Sequence, residues 1–220
     1  MFTLLEPQWG IDLLVSLNAW MMASPTLVYW IPKLADIFVF VYPVFLLVMY
    51  FWRMENGKRI RDNAKNMYYK IAALWIGFSV LATVMVNVLI QYVFAKVRPN
   101  VILWLIDNKT KSILHEFLPS SSFPSDHAAV SMSIAVATLV WGLMKNPAKD
   151  GTRDRSFIWM SIPLFAFSLI MCFCRIAGGI HWPTDIIAGM IVGVVVPLLG
   201  RGSRIADRVV KVLEWIAKKV

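Results

Sequence analysis

The chain has 220 residues, of which 59% are hydrophobic and only 16% charged, with a formal net charge of +9. Soluble domains carry about 45–50% apolar and about 25% charged residues, so a water-soluble globule and a disordered chain are both excluded. Two cysteines one residue apart, Cys172 and Cys174, exclude a disulfide scaffold.

The remaining reading is one integral membrane domain over residues 1–220. Residues 1–12 carry Glu6 and Asp12 and no Lys or Arg, which does not fit a cleavable signal. Residues 7–20 predict an amphipathic interfacial helix, in preference to a sixth, poor span. Residues 24–52 are apolar apart from Lys33 and Asp36, which are expected to bridge to each other. Residues 71–95 carry no charge and predict the cleanest span. Residues 128–144, 156–173 and 186–200 are shorter and need flanking residues to reach the roughly 20 that a crossing requires. All five runs are too long and too uniformly apolar for strands. The predicted fold class is all-α, a membrane helical bundle with five main spans.

Charge orders the connections. Residues 53–70, 145–155 and 201–220 together hold 16 of the 22 Lys and Arg, and five spans put all three on one side. The positive-inside rule makes that side cytoplasmic, with 96–127 and 174–185 on the opposite face. The tail spaces Ile205, Val209, Val212, Leu213 and Ile216 at helical intervals among basic residues, which predicts a helix on an anionic membrane surface. Residues 101–120 are expected to cap the outer face, with Trp104, Phe123 and Trp182 as interface anchors. The basic balance is thus a topology signal, and no nucleic-acid partner is expected.

The polar residues left over are unusual. Lys96, Arg98, Ser125, Asp126, His127, Arg175, His181 and Asp185 all fall at span ends on the predicted outer face. Ionisable groups at membrane depth are costly and mark function. His181 and Asp185 are four apart and share a helical face. An Asp beside a His holds one imidazole tautomer and leaves the other nitrogen able to attack an electrophile. Gly178 and Gly179 permit a tight turn before it, and Pro183 suits a first helical turn. Residues 123–127 open the next helix, whose N-terminus is suited to phosphate. Arg98 adds a forked donor of the kind that binds phosphate.

Arg98-Pro99, then Pro124-Ser125-Asp126-His127, then Arg175, His181 and Asp185 resemble the three-part signature K-x6-R-P, P-S-G-H and S-R-x5-H-x3-D. That signature belongs to the type-2 phosphatidic acid phosphatase superfamily of membrane lipid phosphatases, and the resemblance covers residues 91–185. Three positions depart from it: Gln91 stands for the leading Lys, Asp126 for Gly and Cys174 for Ser. The P-S-D-H form resembles the undecaprenyl-diphosphatase branch, which serves bacterial cell-wall synthesis.

The resemblance implies a two-step phosphoryl transfer with neither metal nor cofactor, on the outer face of a bacterial inner membrane. His181 is the implied nucleophile, Asp185 its orienting partner, and His127 the acid and then the base. Arg98, Arg175 and Ser125 are the implied phosphate ligands. Lys96, or Gln91 as a neutral donor, is expected to make up for the missing Lys. The implied substrate is a membrane lipid diphosphate, undecaprenyl diphosphate foremost; phosphatidylglycerophosphate, phosphatidate and lipid A are alternatives within the same signature. A small transporter would need midplane polar groups and an internal repeat, neither of which is visible. A non-catalytic lipid-binding protein would not need His127, His181 and Asp185 together.

Overall fold

A chain in lipid must pair every backbone N–H and C=O within its own segments, and long uncharged runs do this as helices. The computed structural model describes residues 2–51, 54–55, 58–59, 63–99, 121–144, 155–200, 211–212 and 215. The expected cap over 101–120 lies outside the described residues, as do the basic connection over 145–154 and most of the tail over 201–220.

Strand β1 (Phe2–Thr3) precedes helices α1 (Gln8–Met22) and α2 (Pro25–Ile37), a 3-10 turn (Phe38–Phe40) and α3 (Val41–Phe51). Short strands β2 (Met54–Glu55) and β3 (Lys58–Arg59) pair antiparallel. Helix α4 (Asn63–Val93) runs into β4 (Phe94–Ala95), which pairs in parallel with β1. Helices α5 (Asp126–Leu143), α6 (Arg155–Ala177) and α7 (Pro183–Gly200) follow.

Five segments are long and apolar enough to cross a membrane: Pro25–Phe51, Met67–Val93, Asp126–Leu143, Arg155–Ala177 and Pro183–Gly200. They correspond to the five expected runs, each shifted or extended by a few residues. The first is α2 and α3 in series, joined where Pro43 lacks the N–H that an α-helix would give to Val39, so the backbone tightens to 3-10. Helix α1 has 15 residues, about 22 Å at 1.5 Å per residue, short of the roughly 30 Å hydrocarbon layer. It buries Gly10, Leu14, Asn18 and Met21 and exposes Trp9, Leu13 and Trp20. Two-faced and short, it fits the interfacial role rather than a sixth span.

Helix α5 is the centre of the bundle: 72% of its span is buried, against 17% to 39% for the other four. Small residues allow this. A Cβ on Gly193 would lie 2.4 Å from the Ala129 carbonyl oxygen, and one on Gly189 would lie 2.5 Å from that of Ser125. The two glycines, one turn apart, let α7 touch α5 backbone to backbone. Helix α4 turns Leu81, Met85 and Leu89 outward. Its inward face carries Ser79, Thr83, Asn87 and Gln91 at four-residue spacing, all buried. Thr83 donates to the Ser133 hydroxyl at 2.9 Å. The cleanest apolar span therefore hides a polar stripe, and that stripe leads to the site.

Two expectations are corrected. Lys33 and Asp36 do not bridge to each other: Asp36 pairs with Arg175 of α6 at 3.1 Å, and the Lys33 ammonium sits 3.3 Å over the Tyr29 ring. Trp182 is no interface anchor. It is 2% exposed, and its indole N–H donates to the Val97 carbonyl at 2.7 Å, because a buried indole needs an acceptor.

Candidate active site

The end of α4, the start of α5, the end of α6 and the start of α7 meet at one end of the bundle. Backbone bonds tie them: Ser122 N–H to Lys96 O at 2.8 Å, and Ser125 N–H to Asp185 O at 3.1 Å. The site is therefore set by main chain before any side chain is considered.

His181 follows a tight reversal. Helix α6 ends at Ala177, and Gly179 takes a φ of 68°, the left-handed region that glycine occupies without steric cost. The amide of Ile180 returns to Arg175 O at 3.0 Å, and α7 then starts at Pro183. The His181 ring is fixed on both sides. Its Nδ1 lies 3.0 Å from the Ser122 carbonyl, which can only accept, so Nδ1 carries the proton. Its Nε2 lies 3.2 Å from Arg98 Nη1, which can only donate, so Nε2 presents its lone pair.

Asp185 is the expected partner of His181, but its Oδ2 stands 3.6 Å from Nδ1. The gap is bridged by Ser122, whose hydroxyl donates to Asp185 Oδ2 at 2.5 Å and sits 3.3 Å from Nδ1. The Trp182 amide donates to the same carboxylate oxygen at 3.0 Å. Ser122 thus serves His181 through its carbonyl and Asp185 through its hydroxyl. Sequence reasoning missed it, since a neutral Ser before Phe-Pro carries no charge signal.

The cations divide into two kinds. Arg98 is half-buried, and burial lowers its pKa while Asp126 and Asp185 oppose that shift; a guanidinium stays charged throughout. Its Nη1 also donates to Ile180 O at 3.3 Å. Arg175 is gripped from behind, its Nη1 donating to Ala35 O at 3.2 Å and Asp36 Oδ1 at 3.1 Å. Its buried Nε has no hydrogen-bond partner among the described residues, and neither does the buried Ser125 hydroxyl. Two buried donors of this kind, one at the end of α6 and one capping the N-terminus of α5, suit an anion with several oxygens.

Lys96 differs. Its ammonium is paired with Glu6 Oε2 at 2.5 Å and Asp185 Oδ1 at 2.9 Å, so two carboxylates already match its charge. Gln91 is also committed: its Nε2 donates to Pro124 O at 3.0 Å and Asp126 Oδ1 at 2.9 Å. Asn87 donates to the same two acceptors, at 3.2 and 2.7 Å. Neither Lys96 nor Gln91 is placed as the spare phosphate donor expected of it. His127 stands in the first turn of α5, half-buried beside Asp126. Cys174, where the signature has Ser, is buried against Met21, Ile31 and Ala35. Among the described residues no three His, Cys, Asp or Glu side chains converge as a metal site.

Residues 72–201 match the PAP2 superfamily, a stretch that contains every site residue except Glu6 and the α2 pair that holds Arg175. The chain belongs to the PAP2 superfamily. Relatives within it include undecaprenyl-diphosphatase BcrC of Bacillus subtilis, 29% identical over 155 residues covering 67% of this chain and 68% of that one. The protein named "Putative undecaprenyl-diphosphatase YbjG" of Escherichia coli is 23% identical over 188 residues, 84% of this chain and 79% of its own. The chain also aligns with the crystal structure of Aquifex aeolicus LpxE at a TM-score of 0.49, 16% identical over 90% of this chain and 98% of that one. A transmembrane PAP2-type phosphatidylglycerolphosphate phosphatase from Bacillus subtilis gives the same TM-score at 17% identity, over 92% of this chain and 89% of that one. This is a multi-pass membrane protein of a phosphatase superfamily, and its departures from the PAP2 signature at Gln91 and Asp126 are in direct contact with each other.

Proposed function

We propose that this PAP2 protein removes the terminal phosphate of a polyprenyl diphosphate, undecaprenyl diphosphate foremost, through a phosphohistidine at His181. The observation that carries the reading is the pinned imidazole: Nδ1–H held by the Ser122 carbonyl, with Nε2 directed at Arg98. A neutral ring with its proton fixed on one nitrogen keeps a lone pair on the other; Arg98 donates to that lone pair until it turns to the phosphoryl oxygens of the substrate. The names of the two relatives, BcrC and YbjG, support the substrate class.

In the first step the Nε2 lone pair forms a bond to the terminal phosphorus as the bridging P–O bond breaks. His127 gives a proton to the departing lipid phosphate oxygen. Arg98, the Nε edge of Arg175, the Ser125 hydroxyl and the amides opening α5 hold the equatorial oxygens, where negative charge spreads. In the second step His127 takes a proton from water, water oxygen bonds to phosphorus, and the N–P bond breaks to release inorganic phosphate. Asp185 and Ser122 keep the ring oriented and balance its charge through both steps.

The site is at the outer end of the bundle in this reading. The basic segments 53–70, 145–155 and 201–220 flank the opposite helix ends, which the positive-inside rule puts in the cytoplasm. The headgroup then enters from the extracytoplasmic leaflet of a bacterial cell membrane while the tail stays among the helices.

The test is phosphate release by the purified protein in detergent with EDTA, from a polyprenyl diphosphate, phosphatidylglycerophosphate, phosphatidate and lipid A. Preference for the polyprenyl diphosphate by at least tenfold in kcat/KM is expected. Preference for one of the other lipids replaces the substrate while keeping the chemistry; loss of all turnover in EDTA overturns the metal-independent step.

A further inference from the structure

Behind Asp185 lies a buried charge cluster that the phosphoryl-transfer steps do not use. Lys96 Nζ contacts Glu6 Oε2 at 2.5 Å, the Thr184 hydroxyl at 2.5 Å and Asp185 Oδ1 at 2.9 Å. Thr184 also hydrogen-bonds Glu6 Oε2. The side chains of Lys96, Glu6 and Asp185 are 3%, 2% and 0% exposed. Charges buried this deeply cost several kcal/mol each to desolvate and persist only with close partners.

The segment bearing Glu6 is docked by its own backbone. Phe2 and Thr3 pair in parallel with Phe94 and Ala95, and the Leu4 amide donates to Ala95 O at 2.8 Å. This pairing lays residues 2–6 beside Lys96. Space for the carboxylate is provided by Gly10 of α1: a Cβ there would stand 1.9 Å from Glu6 Oε1.

We infer that Glu6 and Lys96 are positioning residues for Asp185, so that residues 2–6 are a working part of the active site although they lie outside the PAP2 match. The inference rests on the reading of His181 as nucleophile oriented through Asp185. Asp185 has two ends. Oδ2 is held by Ser122 and the Trp182 amide on the His181 side, and Oδ1 is held by Lys96 on the far side. A lone ammonium at 2.9 Å would draw the carboxylate's charge away from the imidazole. Glu6 shares that ammonium, so Lys96 fixes the carboxylate in place while much of its negative charge stays available to the ring that gains positive charge during transfer. This also explains why a Lys two residues before Arg98 does not stand in for the cation missing at position 91.

The experiment compares wild type with Glu6→Gln, the double variant Glu6→Gln/Lys96→Met, and Gly10→Ala, using a polyprenyl diphosphate in detergent micelles. Gly10→Ala deletes no charge and displaces the Glu6 side chain from Cγ outward. The expected result is a kcat at least fivefold lower in each variant, KM within twofold of wild type, and slower build-up of ³²P-labelled His181 trapped by an alkaline detergent quench. A raised KM with unchanged kcat in the double variant overturns the inference, because it makes Lys96 a phosphate ligand. Unchanged kinetics in Gly10→Ala and Glu6→Gln overturn it as well, leaving the cluster a packing feature. If the double variant does not fold, as judged by thermal unfolding, the two single variants decide by the same criteria. Failure of the underlying reading is a separate outcome, seen as labelled enzyme that persists in His181→Ala.

Discussion

Gln91 and Asp126 are hydrogen-bonded at 2.9 Å, and each is a departure from the PAP2 signature, which has Lys and Gly at these places. The two departures are one substitution in physical terms. A carboxylate in the first turn of α5 needs donors, and Gln91 together with Asn87 supplies them without adding charge. Lysine at position 91 would form a buried ion pair with Asp126 and be spent on it. Gln91→Lys alone is therefore expected to lower kcat/KM, and Asp126→Gly alone to leave the amide of Gln91 short of an acceptor. The double variant should recover activity beyond the sum of the singles, with a coupling of roughly 1–2 kcal/mol, as expected for residues in contact. Additive effects in a double-mutant cycle would show that the pair is not coupled.

Ser122→Ala removes the hydroxyl between Asp185 and His181 and keeps the carbonyl that holds Nδ1–H. A hydrogen bond to a charged group contributes about 1.5–3 kcal/mol, so kcat should fall roughly tenfold to a hundredfold. KM should change little, since Ser122 is not aimed at the phosphate. Steady-state kinetics checks both, and an unchanged kcat would leave Asp185 acting without the bridge.

His181→Ala should abolish turnover and the labelled phosphoenzyme while thermal unfolding stays near wild type. His127→Ala should behave differently. With a proton donor lost, substrates with poor leaving groups should suffer most, and aryl phosphates with acidic phenols should keep a larger share of their rate. Equal loss across the series would assign His127 a role other than leaving-group protonation.

Gly193→Ala puts a Cβ 2.4 Å from the Ala129 carbonyl oxygen, a backbone atom that cannot swing aside. Overpacking of this kind costs roughly 1–3 kcal/mol. Thermal unfolding in detergent should show a clear drop in Tm, whereas Gly77→Ala, whose added Cβ meets nothing within 4 Å, should leave it unchanged.

Topology is checked by single cysteines at positions 108 and 146 in a background lacking Cys172 and Cys174. An impermeant reagent on intact cells should label position 108 and spare position 146. Labelling of both from outside would reverse the assignment of the site to the extracytoplasmic face.

The sequence exposed what carries charge or period. Apolar runs located the five spans, and ionisable residues at span ends pointed to the bundle end where Arg98, His181 and Asp185 meet. What it concealed was neutral or distant. Ser122 carries no charge, and the stripe Ser79, Thr83, Asn87 and Gln91 reads as ordinary tolerance in an apolar run, although its four-residue spacing was a usable signal. Glu6 meets Lys96 across 90 positions, which no local pattern reports. Lys33 and Asp36 misled for the opposite reason. Three apart on a helix, they invite pairing, but a guanidinium buried in α6 takes the carboxylate instead.

The glycine contact between α5 and α7 has a mechanical consequence. With backbone resting on backbone at Gly189 and Gly193, there is no side-chain cushion through which one helix can slide along the other. Ser125 and Asp185, joined by backbone at one end of that seam, are held in fixed register, so the starts of α5 and α7 keep their spacing. Any widening of the bundle must come from elsewhere. The least enclosed span is Pro25–Phe51, and Asp36 on Arg175 ties it to α6.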